Sequence, residues 1–205
     1  MICTRSGAPS ACVREPREVD ISSADRLAQA TDATLALRAG DGDVQAFEAV
    51  ARRHGPLMRV VASRLLGTDA EADDVVQESF LTAWHRLAGL DEPERLRNWL
   101  MRIVTNKAID RLRTRRDHDD VDDHQPPAPR RESPDHVVEQ RLQLDAVWRA
   151  VDLLPLDQRR CWLLREIAGW TYAEIAEALG TTPSTVRGQL ARARRSVLAE
   201  MEEWR

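Results

Sequence analysis

From Asp117 the chain runs Asp-His-Asp-Asp-Val-Asp-Asp-His and then Gln-Pro-Pro-Ala-Pro. Close-set carboxylates repel one another, and prolines have no N–H to continue a helix, so this stretch cannot enter a packed core. It splits the sequence into two parts that must each fold around their own apolar residues. Helical periodicity is found on both sides, with no credible strand and no internal repeat. The expected fold class is therefore all-α, with two small helical domains joined by a flexible acidic, Pro-rich linker. The boundaries read as a disordered tail at 1–32, a first domain at 33–116, the linker at 117–134 and a second domain at 135–205. Gly, Pro, Ser and charges alternate through the tail without an apolar period. Ser133 followed by Pro134 fits an N-cap with proline at the first helical position.

Composition supports two small cores rather than one large one, since aromatics are only 4% of the 205 residues. The net charge of −4 gives no bulk attraction to nucleic acid, so any basic surface must be local. Lys107 is the only lysine. Arginine suits phosphate and base recognition, although a GC-rich genome produces the same bias. Three cysteines, Cys3, Cys12 and Cys161, form an odd set without metal-type spacing, as expected in a reducing cytoplasm. No apolar run approaches the roughly 20 residues that span a bilayer, and the N-terminus lacks the apolar segment of a signal peptide. The expectation is a soluble cytoplasmic protein. Asp117, His118, Asp119, Asp120, Asp122, Asp123 and His124 are metal-ligand types. Their flexible, proline-flanked setting gives no preorganised pocket, so neither a metal, a cofactor nor an enzyme is expected.

In the first half, Ala46, Phe47 and Val50 sit at helical spacing, as do Val76, Phe80, Ala83 and Leu87. Thr68-Asp69-Ala70-Glu71 has the form of a capping box that would start the second of these helices. With its apolar stripe turned inward, that helix presents Asp74, Gln77, Glu78 and Leu81 on another face. The next stretch reverses the charge. From Arg95 to Arg116 there are eight basic residues and one acid, Asp110. Like charges on one helix repel unless a partner neutralises them. A basic helix with Asn98, Trp99 and Asn106 interleaved can hold a nucleic-acid strand, arginines on phosphates and amides on base edges.

The second half carries the sharpest local pattern. Leu144, Val147, Trp148, Val151 and Leu154 mark an amphipathic helix that stops at Pro155, and a second helix covers roughly 157–167. Thr171 and Glu174 form a capping box, Gly180 supplies a tight exit, and Thr182 can cap the next helix with Pro183 at its first position. Turning Val186, Leu190, Ala193 and Val197 inward leaves Thr185, Arg187, Gly188, Gln189, Arg192, Arg194 and Arg195 outward. Two short capped helices around a glycine turn, the second basic, describe a helix-turn-helix.

Several motifs resemble the sigma-70 family of RNA polymerase sigma factors, of the extracytoplasmic-function (ECF) type. Ala72-Asp73-Asp74-Val75-Val76-Gln77-Glu78-Ser79-Phe80 is similar to the Ala-Glu-Asp-x-x-Gln-Glu-x-Phe signature of region 2, with Asp73 in place of Glu. Trp99-Leu100-Met101-Arg102-Ile103-Val104-Thr105-Asn106 resembles Trp-Leu-x-x-Ile-Ala-x-Asn, followed by Asp-x-x-Arg at Asp110 to Arg113. Leu154-Pro155, Tyr172-Ala173-Glu174-Ile175-Ala176, Thr185-Val186-Arg187 and Arg192-Ala193-Arg194 resemble region 4, with Gly188-Gln189 where Ser-Arg is common. The resemblance covers about 150 of the 205 residues.

The resemblance implies a transcription initiation factor that binds core RNA polymerase and reads two elements of promoter DNA. Asp74, Gln77, Glu78 and Leu81 would face the polymerase. Asn98, Trp99, Arg102, Asn106, Lys107, Asp110, Arg111 and Arg113 would hold the −10 element. Tyr172, Thr185, Arg187, Gly188, Gln189, Ala191, Arg192, Arg194 and Arg195 would contact the −35 element. Arg187 and Arg192 have the length to reach a guanine edge, Gly188 and Ala191 permit close approach, and Tyr172, Thr185, Arg194 and Arg195 suit phosphates. Elements two helical turns apart lie roughly 70 Å apart along DNA, whereas a linker of about 17 residues reaches at most about 60 Å. The linker permits such spacing, and only the polymerase could fix it. An anti-sigma factor is a further implied partner. The alternative is a helix-turn-helix regulator that acts without replacing the sigma subunit.

Overall fold

The computed structural model describes residues 23–118 and 138–202. All regular structure among them is helical, in two bundles. The first contains α1 (Ser23–Gln29), α2 (Asp32–Gly40), α3 (Val44–Leu66), α4 (Asp69–Arg86) and α5 (Leu96–His118). The second contains α6 (Val138–Asp152), α7 (Leu156–Trp162), α8 (Tyr172–Leu179) and α9 (Pro183–Glu202). Most of the acidic, proline-rich run, together with Ser133 and Pro134, lies outside the described residues.

Helix α3 is the axis of the first bundle and packs against α2, α4 and α5. Asp43 starts it, its carboxylate accepting the N–H groups of Gln45 and Ala46 at 3.0 and 3.1 Å. Gly67, at φ 82°, ends it in the left-handed region that a side chain disfavours. Val50, Met58, Val61, Ala62 and Leu65 are fully buried along its inward stripe. On the same side, Phe47 meets Phe80 and Trp84 of α4 edge-on at 6.1 and 5.0 Å.

Two local expectations need correction. Ordered structure begins before residue 33, because α1 and the start of α2 fall in the stretch read as tail. Leu27 is buried, and Arg53 reaches back to Ala28 O at 2.8 Å and Asp32 at 2.7 Å. A seven-residue helix has too few apolar positions to show a period, and α3 supplies the contacts that hold it. The capping box expected at Thr68 is not formed either, as the Thr68 side chain makes no cap hydrogen bond. Glu71, its intended partner, instead receives Arg115 from α5 at 2.6 Å. The ion pair with Arg115 holds the Glu71 carboxylate away from the cap position.

In the second bundle α9 lies across α6, α7 and α8. Val151, Leu163, Ile175, Val186 and Ala193 are fully buried between them. Each large aliphatic side chain so placed is worth about 1.5–3 kcal/mol relative to exposure. Arg159 is buried, yet its guanidinium donates to the carbonyls of Val151, Asp152 and Leu154 at the end of α6. It thereby satisfies acceptors that the helix terminus leaves open. Between α7 and α8 the helix widens over Leu163–Ile167, where Ala168 N–H bonds to Leu163 O five residues back.

Candidate nucleic-acid interface

The helix-turn-helix forms from local chemistry. Thr171 Oγ1 accepts Glu174 N–H at 3.2 Å while Glu174 accepts Thr171 N–H at 2.7 Å, closing the capping box. Gly180, at φ 64°, turns the chain, and Thr181 N–H bonds to Ala176 O at 2.9 Å. Thr182 Oγ1 then accepts Thr185 N–H at 3.1 Å and starts α9. Val186, Leu190, Ala193 and Val197 face the core, leaving Arg187, Ala191, Arg192 and Arg195 exposed on the outer side. Gly188 and Gln189 are half-buried. A side chain at Gly188 would meet the Arg192 guanidinium at 3.6 Å, so Arg192 folds back over this position.

The structure divides the expected phosphate contacts. Arg195 is exposed and bonds only weakly to Ala191 O, at 3.4 Å. Arg194 is held by Glu166 at 3.0 and 2.6 Å, which raises its pKa above the ordinary arginine value. The Thr185 hydroxyl shares a 2.9 Å hydrogen bond with that of Thr182. Tyr172 is half-buried with the Arg165 guanidinium 5.0 Å over its ring.

On α5, Asn98, Arg102, Asn106, Asp110 and Arg113 are exposed, whereas Trp99, Lys107 and Arg111 are half-buried. Trp99 packs against the core. The charge concentration that the sequence left to an outside partner is largely met from within. Lys107 and Arg111 both reach Glu78 of α4, at 3.7 and 3.2 Å. Arg115 pairs with Glu71, and Arg102 with Glu174 of α8 at 2.5 Å. Asp74, Gln77, Glu78 and Leu81 are exposed on α4, with Leu81 59% accessible. Glu78 therefore stands on the seam between this acidic face and the basic one. The ion pairs of Glu71, Glu78 and Glu174 had no sequence signal, because each basic partner lies 29 or more residues away, Lys107 to Glu78 being the nearest.

Comparison with known proteins bears on both halves. The Sigma-70 region 2 profile matches residues 50–118, which hold most of α3 and all of α4 and α5. The Sigma-70, region 4 profile matches residues 144–197, from α6 into α9. RNA polymerase sigma factor NccH of Alcaligenes xylosoxydans xylosoxydans is 33% identical over 181 residues, covering 83% of this chain and 95% of that protein. ECF RNA polymerase sigma factor SigM of Mycobacterium tuberculosis (strain ATCC 25618 / H37Rv) is 34% identical over 168 residues, covering 80% of this chain and 81% of its own. Among solved structures, sigma factor RpoE from Bartonella quintana, crystallised with the anti-sigma factor NepR, matches in fold. Its TM-score is 0.50 at 23% identity, over 78% of this chain and 98% of that one. With both regions present, in order and on the helices that carry their motifs, the chain belongs to the sigma-70 family as an ECF sigma factor, a non-enzymatic subunit that directs RNA polymerase to promoters.

Proposed function

We propose that this sigma factor divides its work among three helices. Helix α4 offers Asp74, Gln77, Glu78 and Leu81 to a basic surface of core polymerase, charge setting the rate and register of docking and Leu81 adding apolar contact. Helix α5 holds the −10 strand through Asn98, Arg102, Asn106 and Arg113, with Lys107 and Arg111 exchanging Glu78 for phosphates and Trp99 and Asp110 shaping the groove. Helix α9 lies in the major groove of the −35 element. Arg187 and Arg192 read base edges, Gly188, Gln189 and Ala191 allow approach, and Arg195, Thr185 and Tyr172 lie toward phosphates. Arg194 joins them only by releasing Glu166. The site of action is the cytoplasm, and an anti-sigma factor restrains the protein until it is needed.

The observation that carries this reading is the exposed outer row of Arg187, Ala191, Arg192 and Arg195 on a helix whose inner row is fully packed. The direct test is promoter-specific transcription by purified core polymerase with and without this chain. Discrete, promoter-dependent transcripts are expected only with it. A helix-turn-helix regulator acting beside another sigma subunit would give none. Replacing Asp74 and Glu78 together with Lys is expected to abolish capture of core polymerase while helicity by circular dichroism is retained; unchanged capture would remove α4 from the docking role.

A further inference from the structure

Gly188 lies inside α9, in the half of the helix that starts at Pro183. Its backbone is not left-handed, so the path of the chain does not call for glycine. Within a helix glycine is also less favourable than alanine. The side chain it lacks leaves room for another. A Cβ at position 188 would stand 3.6 Å from Arg192 Nη1 and 3.8 Å from Nη2. Leaving aside the helix's own backbone and the two adjoining residues, these are the only atoms of the described residues within 4 Å of that point. Helical side chains lean toward the N-terminus, and Arg192 follows that lean until its guanidinium covers residue 188. A methyl group would meet it in ordinary contact. A longer side chain would compete for the space it fills. Arg192 is exposed, and among the described residues no carboxylate draws it elsewhere.

We infer that Gly188 determines −35 specificity through Arg192: the absence of a side chain at 188 lets the Arg192 guanidinium read the base pair that residue 188 faces. The inference rests on the placement of α9 in the major groove given above. The N-terminal part of a recognition helix is the part that meets base edges. Arg192 is attached one turn beyond Gly188, and one turn is about 5.4 Å of rise. Leaning back by that distance carries its charge from the phosphate-facing half toward the bases. There its planar fork of donors matches the O6 and N7 acceptors of guanine. A side chain at 188 would face that base pair itself and press Arg192 outward, where an arginine contacts phosphate and carries no sequence information. Positions 188 and 192 therefore act as one reading unit.

The test uses the full chain in holoenzyme with core polymerase, transcribing a promoter library randomised across the −35 element. Base preference is read by sequencing the transcribed templates. Arg192→Ala is expected to lower preference at one base pair by about 5- to 150-fold. Gly188→Leu, with Arg192 intact, is expected to lower it at the same base pair, whereas Gly188→Ala lowers it little. The Gly188→Leu, Arg192→Ala double variant is expected to lose no more there than either single variant, as for two positions that share one contact. Leucine is a better helix former than glycine, and Gly188→Met repeats the comparison with a flexible side chain if the leucine variant fails to fold. Three results overturn the inference: preference unchanged by the long side chains, preference lost at a different base pair from Arg192→Ala, or losses that multiply in the double variant. Equal loss with Gly188→Ala also overturns it, because DNA rather than Arg192 would then need the space. Failure of the α9 placement is read separately. Arg192→Ala without effect while Arg187→Ala still relaxes preference removes this inference alone; both without effect remove α9 from the groove.

Discussion

Arg102, Lys107, Arg111 and Arg115 on α5 each meet a carboxylate of the same chain, whereas among the described residues Arg187, Arg192 and Arg195 on α9 meet none. Both helices are long, basic and amphipathic, so sequence alone makes them look equivalent. The difference lies in what surrounds them. Helix α5 sits between α4 and α8, and both neighbours supply acids. Among the described residues, only Arg194 of α9 turns back to an acid, Glu166. Unpaired charge preserves positive potential for duplex phosphates. Paired charge relieves self-repulsion along α5, about 0.2–0.5 kcal/mol for each like pair one turn apart, and must be released before a strand can replace it.

The sharpest break of this comparison is at Arg187. In reconstituted holoenzyme, Arg187→Ala is expected to cost about 1–3 kcal/mol on a cognate −35 element and to relax preference at one base pair. Equal losses on cognate and scrambled −35 sequences would take base reading away from α9. At Arg115 the contrast is one of stability. Glu71→Gln keeps the shape of the side chain but leaves Arg115 without its carboxylate. Urea titration is expected to show a loss of about 1 kcal/mol, and no loss would mean that α5 does not depend on its acidic neighbours.

Arg194 and Arg195 separate paired from unpaired charge within α9 itself. Arg195→Ala is expected to weaken binding to all sequences alike and to lower the salt slope by about 1. Arg194→Ala is expected to leave the slope nearly unchanged, since Glu166 already neutralises it. Equal slopes for the two variants would erase the distinction. The smallest effect concerns Glu174, whose carboxyl is held down at about 2 from an ordinary 4.5, first by the Thr171 N–H and then by Arg102. Arg113, Asp110 and Glu177 line a small cleft beside it. A depressed carboxylate pKa contributes stability above its unfolded value, lost as pH falls from about 4.5 toward 2. The advantage of wild type over Glu174→Gln should therefore be present at about pH 6 and shrink below about pH 4. Solvent screening keeps it under about 1 kcal/mol. A pH-independent gap would point to geometry rather than charge.

The helix-turn-helix was legible because its signals are local. Thr171 and Glu174 find each other three residues apart, Gly180 needs no distant partner to adopt a left-handed turn, and Val186 to Val197 keep one face. The same kind of motif at Thr68 misled, because Glu71 had a stronger partner 44 residues away. Helix α1 was missed for the complementary reason: Leu27 is apolar in a polar stretch and acquires meaning only against α3. Glu174 reads as a capping residue, but nothing near it or near Asp152 in sequence announces Arg102 or Arg64. Arg159 and Arg160 look like surface charges beside Cys161, yet both are buried by helix ends that only the tertiary fold brings near.

The widened turn at Leu163–Ile167 acts on the molecule as a phase shifter. Every residue of an α-helix advances its successor by about 100° around the axis. One residue accommodated in a wider turn therefore offsets everything that follows by that angle. Downstream lie Gly169, at φ 71°, and Trp170, the tooth that meshes with Thr105 on α5. The angular setting of this turn thus helps set where Trp170 meets α5, while the contacts of Asp152 and Arg160 with α3 lie upstream of it. Shortening that turn by one residue is expected to restore regular pitch and rotate Trp170 out of mesh with Thr105, read as a change in tryptophan fluorescence, while the Arg64–Asp152 pair upstream is kept.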